Sequence, residues 1–205
     1  MSHHLKQLFG AAGMIALLAA CTPEAETPTE PTAPPAATDP TAAATTGVNL
    51  TGEGWESLRI GMTRAEIVEA LGEDANPDAV GGPDPESCDQ FRPERAPESM
   101  ILMVEDGRLT RISLGDPSDI MTDKGLRVGD TAERVKAAYG DQAIVTPHKY
   151  QDAPAEYITV WSRGGGEGYV EDENARGIVY EIGRDGTVMA IHAGGPSIQY
   201  VEGCL

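Results

Sequence analysis

Four side-chain groupings in this 205-residue chain could carry chemistry. His3 and His4 sit at the N-terminus, which leaves His148 and His192 as the imidazoles of the body of the chain. A histidine base needs a carboxylate to orient it and a nucleophile to serve, and spacing alone supplies neither. His148 falls in a loop with Lys149 and Tyr150; His192 falls in a strand, where a hydrogen-bonded structural role is the expectation. Glu167, Glu171, Asp172, Glu173 and Asn174 crowd a second loop, but not at the spacing of a calcium-binding loop, so a solvated acidic loop is expected and ion binding is the alternative. Cys88 and Cys204 stand apart, with no C-x-x-C that would signal redox or zinc chemistry. No G-x-S-x-G, H-E-x-x-H or S-x-x-K motif occurs. The expectation is a non-catalytic protein with no cofactor and no metal.

The elements that would position these groups are organised by an echo. Leu58-Arg59-Ile60-Gly61-Met62-Thr63-Arg64-Ala65-Glu66-Ile67-Val68-Glu69-Ala70-Leu71-Gly72 returns as Leu126-Arg127-Val128-Gly129-Asp130-Thr131-Ala132-Glu133-Arg134-Val135-Lys136-Ala137-Ala138-Tyr139-Gly140, with six of 15 positions identical. Each copy reads as a Gly turn, a Thr-capped helix of about two turns and a Gly stop. Thr63 and Glu66 form a capping box, which Arg134 breaks in the second copy. The Gly61 and Gly129 turns lack the Lys or Gly-rich run of an anion loop, so they are read as helix starts. Such short helices are marginal alone and must dock on a sheet.

Asp106-Gly107 and Asp185-Gly186 sit between strand-like runs, Met100–Val104 with Arg108–Leu114 and Ile178–Ile182 with Thr187–Ile191, and mark two hairpins. Cys88–Phe91 and Tyr157–Trp161 read as further strands, with loops over 73–87, 92–98, 141–156 and 162–176. Ile198–Val201 reads as a last strand or an ordered cover. The resulting expectation is an α+β domain over 53–205. It would have two tandem helix-plus-three-strand repeats, about 55–122 and 123–205, forming an antiparallel sheet with helices on one face. Trp55, Phe91, Tyr157, Trp161 and Tyr200 are assigned mostly to the core, and are the candidate interaction surface wherever the uncovered sheet face exposes them.

The first fifty residues read differently. Lys6 precedes an apolar run from Leu8 to Leu18, too short to span a bilayer. It ends in Leu18-Ala19-Ala20-Cys21, which resembles the lipobox of bacterial lipoproteins. The resemblance implies a signal peptide over 1–20, cleavage before Cys21 and lipidation of that cysteine. Thr22, rather than Asp, implies the outer membrane, with the protein lipid-anchored on its periplasmic face. Residues 21–52 then form the lipidated cysteine and a Pro/Thr/Ala-rich disordered stalk, with Pro23, Pro28, Pro31, Pro34, Pro35 and Pro40 keeping it extended. With Cys21 acylated, Cys88 and Cys204 remain as an even pair in an oxidising compartment, and a disulfide between them is the favoured reading over a redox or metal pair.

Gly61-Met62-Thr63-Arg64-Ala65-Glu66-Ile67 through Leu71-Gly72 also resembles the signature of the small outer-membrane lipoproteins SmpA/OmlA, or BamE. Tandem units of this kind are similar to β-lactamase inhibitory protein. The domain with Pro147-His148-Lys149-Tyr150 and the ending Val201-Glu202-Gly203-Cys204 resembles uncharacterised proteobacterial lipoproteins.

The charge balance, 15 Lys and Arg against 33 Asp and Glu, argues against nucleic acid and against a polybasic grip on lipid. The expected function is therefore a protein-interaction or envelope-support module, tethered by its N-terminal lipid and meeting an envelope protein partner. The alternatives are an inhibitor of a periplasmic enzyme, and a hydrolase or ion-binding protein using His148 or the acidic 167–174 loop.

Overall fold

A computed structural model describes residues 49–78 and 81–204. The expected signal peptide, Cys21 and nearly all of the expected stalk lie outside those residues. Gly54–Trp55 (β1) and Leu58–Arg59 (β2) pair as a two-stranded ribbon that leads into helix Arg64–Leu71 (α1). Three strands follow: Cys88–Phe91 (β3), Met100–Glu105 (β4) and Arg108–Gly115 (β5). Helix Ala132–Tyr139 (α2) is followed by Ile144–Pro147 (β6), Glu156–Arg163 (β7), Arg176–Ile182 (β8) and Val188–Gly194 (β9). A 3-10 turn, Pro196–Gln199, opens the C-terminal segment.

The expectation of two tandem helix-plus-three-strand repeats is overturned. Strands β3 to β9 make one continuous antiparallel sheet in the order β3-β4-β5-β9-β8-β7-β6. The first half supplies three of these strands and the second four. The ribbon β1–β2 stands outside the sheet, and the helices amount to two segments of eight residues. Strand β6 forms within the stretch 141–156 that composition marks as loop. The physical reason is edge satisfaction. Two separate three-stranded units would each leave unpaired backbone groups along β5 and β9, and joining these two edges pairs them in the middle of the sheet.

The echo is nonetheless matched locally. Gly61 N donates to Leu109 O and Gly129 N to Val188 O, both at 2.8 Å. Arg64 N reaches Gly107 O and Ala132 N reaches Gly186 O, both at 3.0 Å. Each capped helix start is thus bolted to the hairpin that follows it. Thr63 and Glu66 complete the capping box, whereas in α2 Thr131 caps alone and Arg134 pairs with Asp130.

Both helices close over the same side of the sheet. Ile67, Leu71, Ala132 and Val135 join Leu102, Ile112, Ile158, Tyr180 and Ile191 in a single apolar cluster. Burial of such a side chain contributes about 1.5–3 kcal/mol. Leu50, placed in the stalk by composition, is fully buried in this core, and its backbone brackets the 121–123 segment (Leu50 N to Met121 O, 2.8 Å; Asp123 N to Leu50 O, 3.2 Å). The continuous apolar run of β4 follows from burial on both faces: Leu102 and Val104 meet the core, and Met103 is covered from the other side.

Candidate functional site

The face of the sheet away from the helices carries the chemistry. Directly paired residues of antiparallel strands point the same way, so the register defines rows across this face. One row runs Gln90, Met103, Arg111, Gly194, Gly177, Trp161. The next contains Ile101, Ser113, His192, Val179, Thr159 and Ile144. A third contains Gly115, Ala190, Glu181, Tyr157 and Thr146.

The first row is roofed by the C-terminal segment. Arg111, almost wholly buried, donates to Ser197 O at 3.1 Å, Tyr200 O at 2.8 Å and Gln90 Oε1 at 2.9 Å. Burial pulls its guanidinium down to about 10, against the neighbouring Glu105 and Glu181, so it stays cationic near neutral pH. Ser197 also donates to Glu105, and Cys204 is joined to Cys88 with their Cα atoms 5.4 Å apart. Gln199 pins the acidic loop: it accepts from Val170 N and donates to Val170 O, both at 2.9 Å.

Beside this strap lies a cleft of about 360 Å³, within the range of ligand sites. Tyr157, Trp161, Val179, Ile198 and Tyr200 line it, Lys149, Glu181 and His192 supply polar groups, and the exposed Tyr169 and Val201 form its rim. A Cβ on Gly165 would sit 2.0 Å from Trp161 Cγ, so only glycine lets the 164–166 loop lie on the indole. Burial pushes the Tyr200 phenol up to about 12, and it stays neutral.

A hydrogen-bonded line crosses the second and third rows. His148 Nδ1 faces the backbone N–H groups of Tyr150 at 3.0 Å and Gln151 at 3.2 Å, so it accepts both. Its proton is therefore on Nε2, which donates to Glu181 Oε1 at 3.0 Å while the ring stacks on Tyr157 at 4.7 Å. Glu181 Oε2 lies 3.4 Å from His192 Nε2, and His192 Nδ1 lies 2.9 Å from Ser113 Oγ. Bonds from His192 and then His148 hold the Glu181 carboxyl below its ordinary range. Burial outweighs Glu181 and holds His192 below the ordinary imidazole range.

Of the residues expected at an interaction surface, Tyr157, Trp161 and Tyr200 meet in the cleft. Trp55 and Phe91 do not: both are buried in the core, and Phe91 also carries the Arg64 guanidinium 4.3 Å above its ring. Phe91 alternates inward along β3, and Trp55 closes the small ribbon against the domain. His148 does meet a carboxylate, but its two ring nitrogens are committed, leaving no lone pair for a substrate proton. In the acidic loop Asp172 accepts from Asn174 and the Glu173 carbonyl from Arg176; among the described residues no His, Cys, Asp and Glu converge as a metal site. Ser113, Glu181 and Arg111 were not singled out from sequence. The alternation of β5 past the irregularity at Thr110, with Ile112 and Leu114 inward, and of β8 and β9 was the signal that could have found them.

No protein-family model matches the chain, and no curated protein does. Among solved structures, the 1.5 Å crystal structure of an extracellular protein containing an SCP domain from Bacillus anthracis str. Ames matches with a TM-score of 0.41 and 9% identity, over 66% of this chain and 44% of that one. The chain spans less than half the length of that protein.

Proposed function

We propose that this is an exported, lipid-anchored binding module that captures an extended segment of an envelope protein on the open face of its sheet. Export and tethering rest on Leu18-Ala19-Ala20-Cys21 and the stalk composition. The observation that carries the binding reading is the continuity of the cleft with a free sheet edge. Strand β6 is an outermost strand, and its open-face residues Ile144 and Thr146 line the cleft with Tyr157 and Trp161. A segment pairing along β6 would gain main-chain hydrogen bonds and drop alternate side chains into an apolar pocket. Pro147, which ends the strand, limits that pairing to a few residues.

The test is photo-crosslinking in cells producing the full chain. A crosslinker at Tyr169, on the rim, should give one discrete protein adduct that Trp161→Ala removes, while a crosslinker at Glu133 on α2 should not give it. Identical adducts from both positions, or an adduct indifferent to Trp161→Ala, would overturn the reading. Labelling with a clickable fatty acid tests the anchor separately: Cys21→Ser should abolish it.

A further inference from the structure

Beyond the binding cleft, the geometry points to a second site: Ser113 is a nucleophile activated by His192 and oriented through Glu181, in a cleft that takes a small carboxylic ester bearing an anionic group. That cleft, about 430 Å³, is lined by Ser113 and His192, with Arg92 and the carboxylates Glu98 and Asp116 among its other walls, so hydroxyl and imidazole open onto the same space.

The line of hydrogen bonds fixes each proton. Backbone amides of Tyr150 and Gln151 occupy His148 Nδ1, so His148 Nε2–H is a permanent donor to Glu181 Oε1. Glu181 Oε2 then takes the proton-bearing Nε2 of His192, at 3.4 Å. His192 Nδ1 is left as a lone pair facing Ser113 Oγ at 2.9 Å, the state a general base must have. Burial keeps that imidazole neutral near pH 7, and a carboxylate stands behind it to stabilise the imidazolium once a proton arrives. The order along the ring is Ser on Nδ1 and Glu on Nε2, and a triad is recognised by such roles, not by chain position.

The substrate charge follows from Arg92. It lies one residue past the end of β3, just beyond the Phe91–Leu102 pair, and Ile101, the next residue of β4, is opposite Ser113. Its Nε is buried with no partner, and among the described residues no carboxylate lies within ion-pairing distance of it. Arg92 also lines the cleft, where neither Glu98 nor Asp116 of the same lining pairs with it, so its terminal nitrogens fit a carboxylate or other anionic group on the ligand.

The reaction balances without a cofactor. Ser113 Oγ bonds to the acyl carbon as its proton passes to His192 Nδ1, and the acyl carbon–alkoxy bond breaks as that proton goes to the leaving alkoxide. Water then attacks the acyl carbon, His192 takes its proton and returns one to Ser113 Oγ, and the acid leaves. Ser113 and His192 are the catalytic residues; Glu181 and His148 position them.

The purified mature chain should be treated with a fluorophosphonate probe and assayed with 4-nitrophenyl esters of butyric acid and of succinic acid. The expected result is a single adduct on Ser113, mapped by mass spectrometry, and faster turnover of the succinyl ester. Ser113→Ala, folded by circular dichroism, should lose about 100-fold or more of the turnover. Arg92→Gln should lower kcat/KM for the succinyl ester alone, and Glu181→Gln should move the acidic limb of the pH–rate profile. Crosslinking from Tyr169 should persist in Ser113→Ala, which separates this site from the binding cleft. A folded wild type that is not labelled at Ser113, or a Ser113→Ala variant that keeps its turnover, would overturn the proposal.

Discussion

The two faces of the sheet solve the same burial problem with different materials. The covered face meets α1 and α2 through aliphatic side chains, and the Tyr180 hydroxyl within it is bonded to Tyr139 at 2.8 Å and Thr122 at 3.3 Å. The open face buries the Arg111 guanidinium and the His148 imidazole and half-buries the Glu181 carboxylate and the His192 imidazole, beneath and beside the C-terminal strap. Carbon packing tolerates local rearrangement, whereas a buried polar network is costly unless every member is partnered. The open face is therefore the more exacting surface: β5, β9 and β8 must be in register and the His148 loop must close on them before their hydrogen bonds exist. That precision is also what function needs, since a base, a nucleophile and a cleft are useful only at fixed separations.

Four variants probe this contrast, from the largest expected effect to the smallest. Cys88→Ser with Cys204→Ser releases the strap from β3. Opening a closure of 116 residues costs about 4–5 kcal/mol in the chain-entropy model, seen as a lower urea midpoint. Phe91→Ala attacks the covered face and should cost about 3–5 kcal/mol, yet leave crosslinking from Tyr169 unchanged once the variant is folded. Arg111→Met attacks the open face by leaving Ser197 O, Tyr200 O and Gln90 Oε1 without their donor. It should cost about 3 kcal/mol and, unlike Phe91→Ala, expose the strap to proteolysis between 196 and 204. If the two variants loosen the strap equally, the faces are not independent.

The smallest effect is a pH dependence. An unfolded histidine titrates near about 6.5 and an unfolded glutamate near about 4.3. Both His192 and Glu181 titrate lower in the folded protein, so on acidification the unfolded chain binds protons first. Stability should fall as pH drops below about 6.5, through His192, and again below about 4.3, through Glu181, until each folded-state value is passed. Denaturation of His192→Gln should lack the first decline and keep the second; a wild type equally stable at pH 7 and pH 5 would contradict the burial of that imidazole.

Much of the local structure was legible. Thr63 and Thr131 start helices that Gly72 and Gly140 end, and Asp106-Gly107 turns a hairpin with both residues at positive φ. These features depend on a few consecutive residues, and their physics is short-ranged. The errors have another character. Ile144–Pro147 lacks a strong strand pattern and is a strand because β7 offers it an edge. Leu50 resembles its stalk in composition and is core because residues 121–123 and the domain interior receive it. Trp55 and Phe91 share aromatic character with Tyr157, Trp161 and Tyr200, and only the direction of each strand separates the buried pair from the cleft.

The sequence by itself determined the caps, the turns, the acidic balance and the cysteine count, because each is written in adjacent residues or in composition. Tertiary structure alone decided that β5 lies against β9. That choice brings Ser113 to His192 across 79 residues, while the β8–β9 hairpin and the β6–β7–β8 pairings set Glu181 beside both histidines. Strand edges are chemically alike, so which edges join is settled by the burial of the whole sheet and not by any one segment's preference.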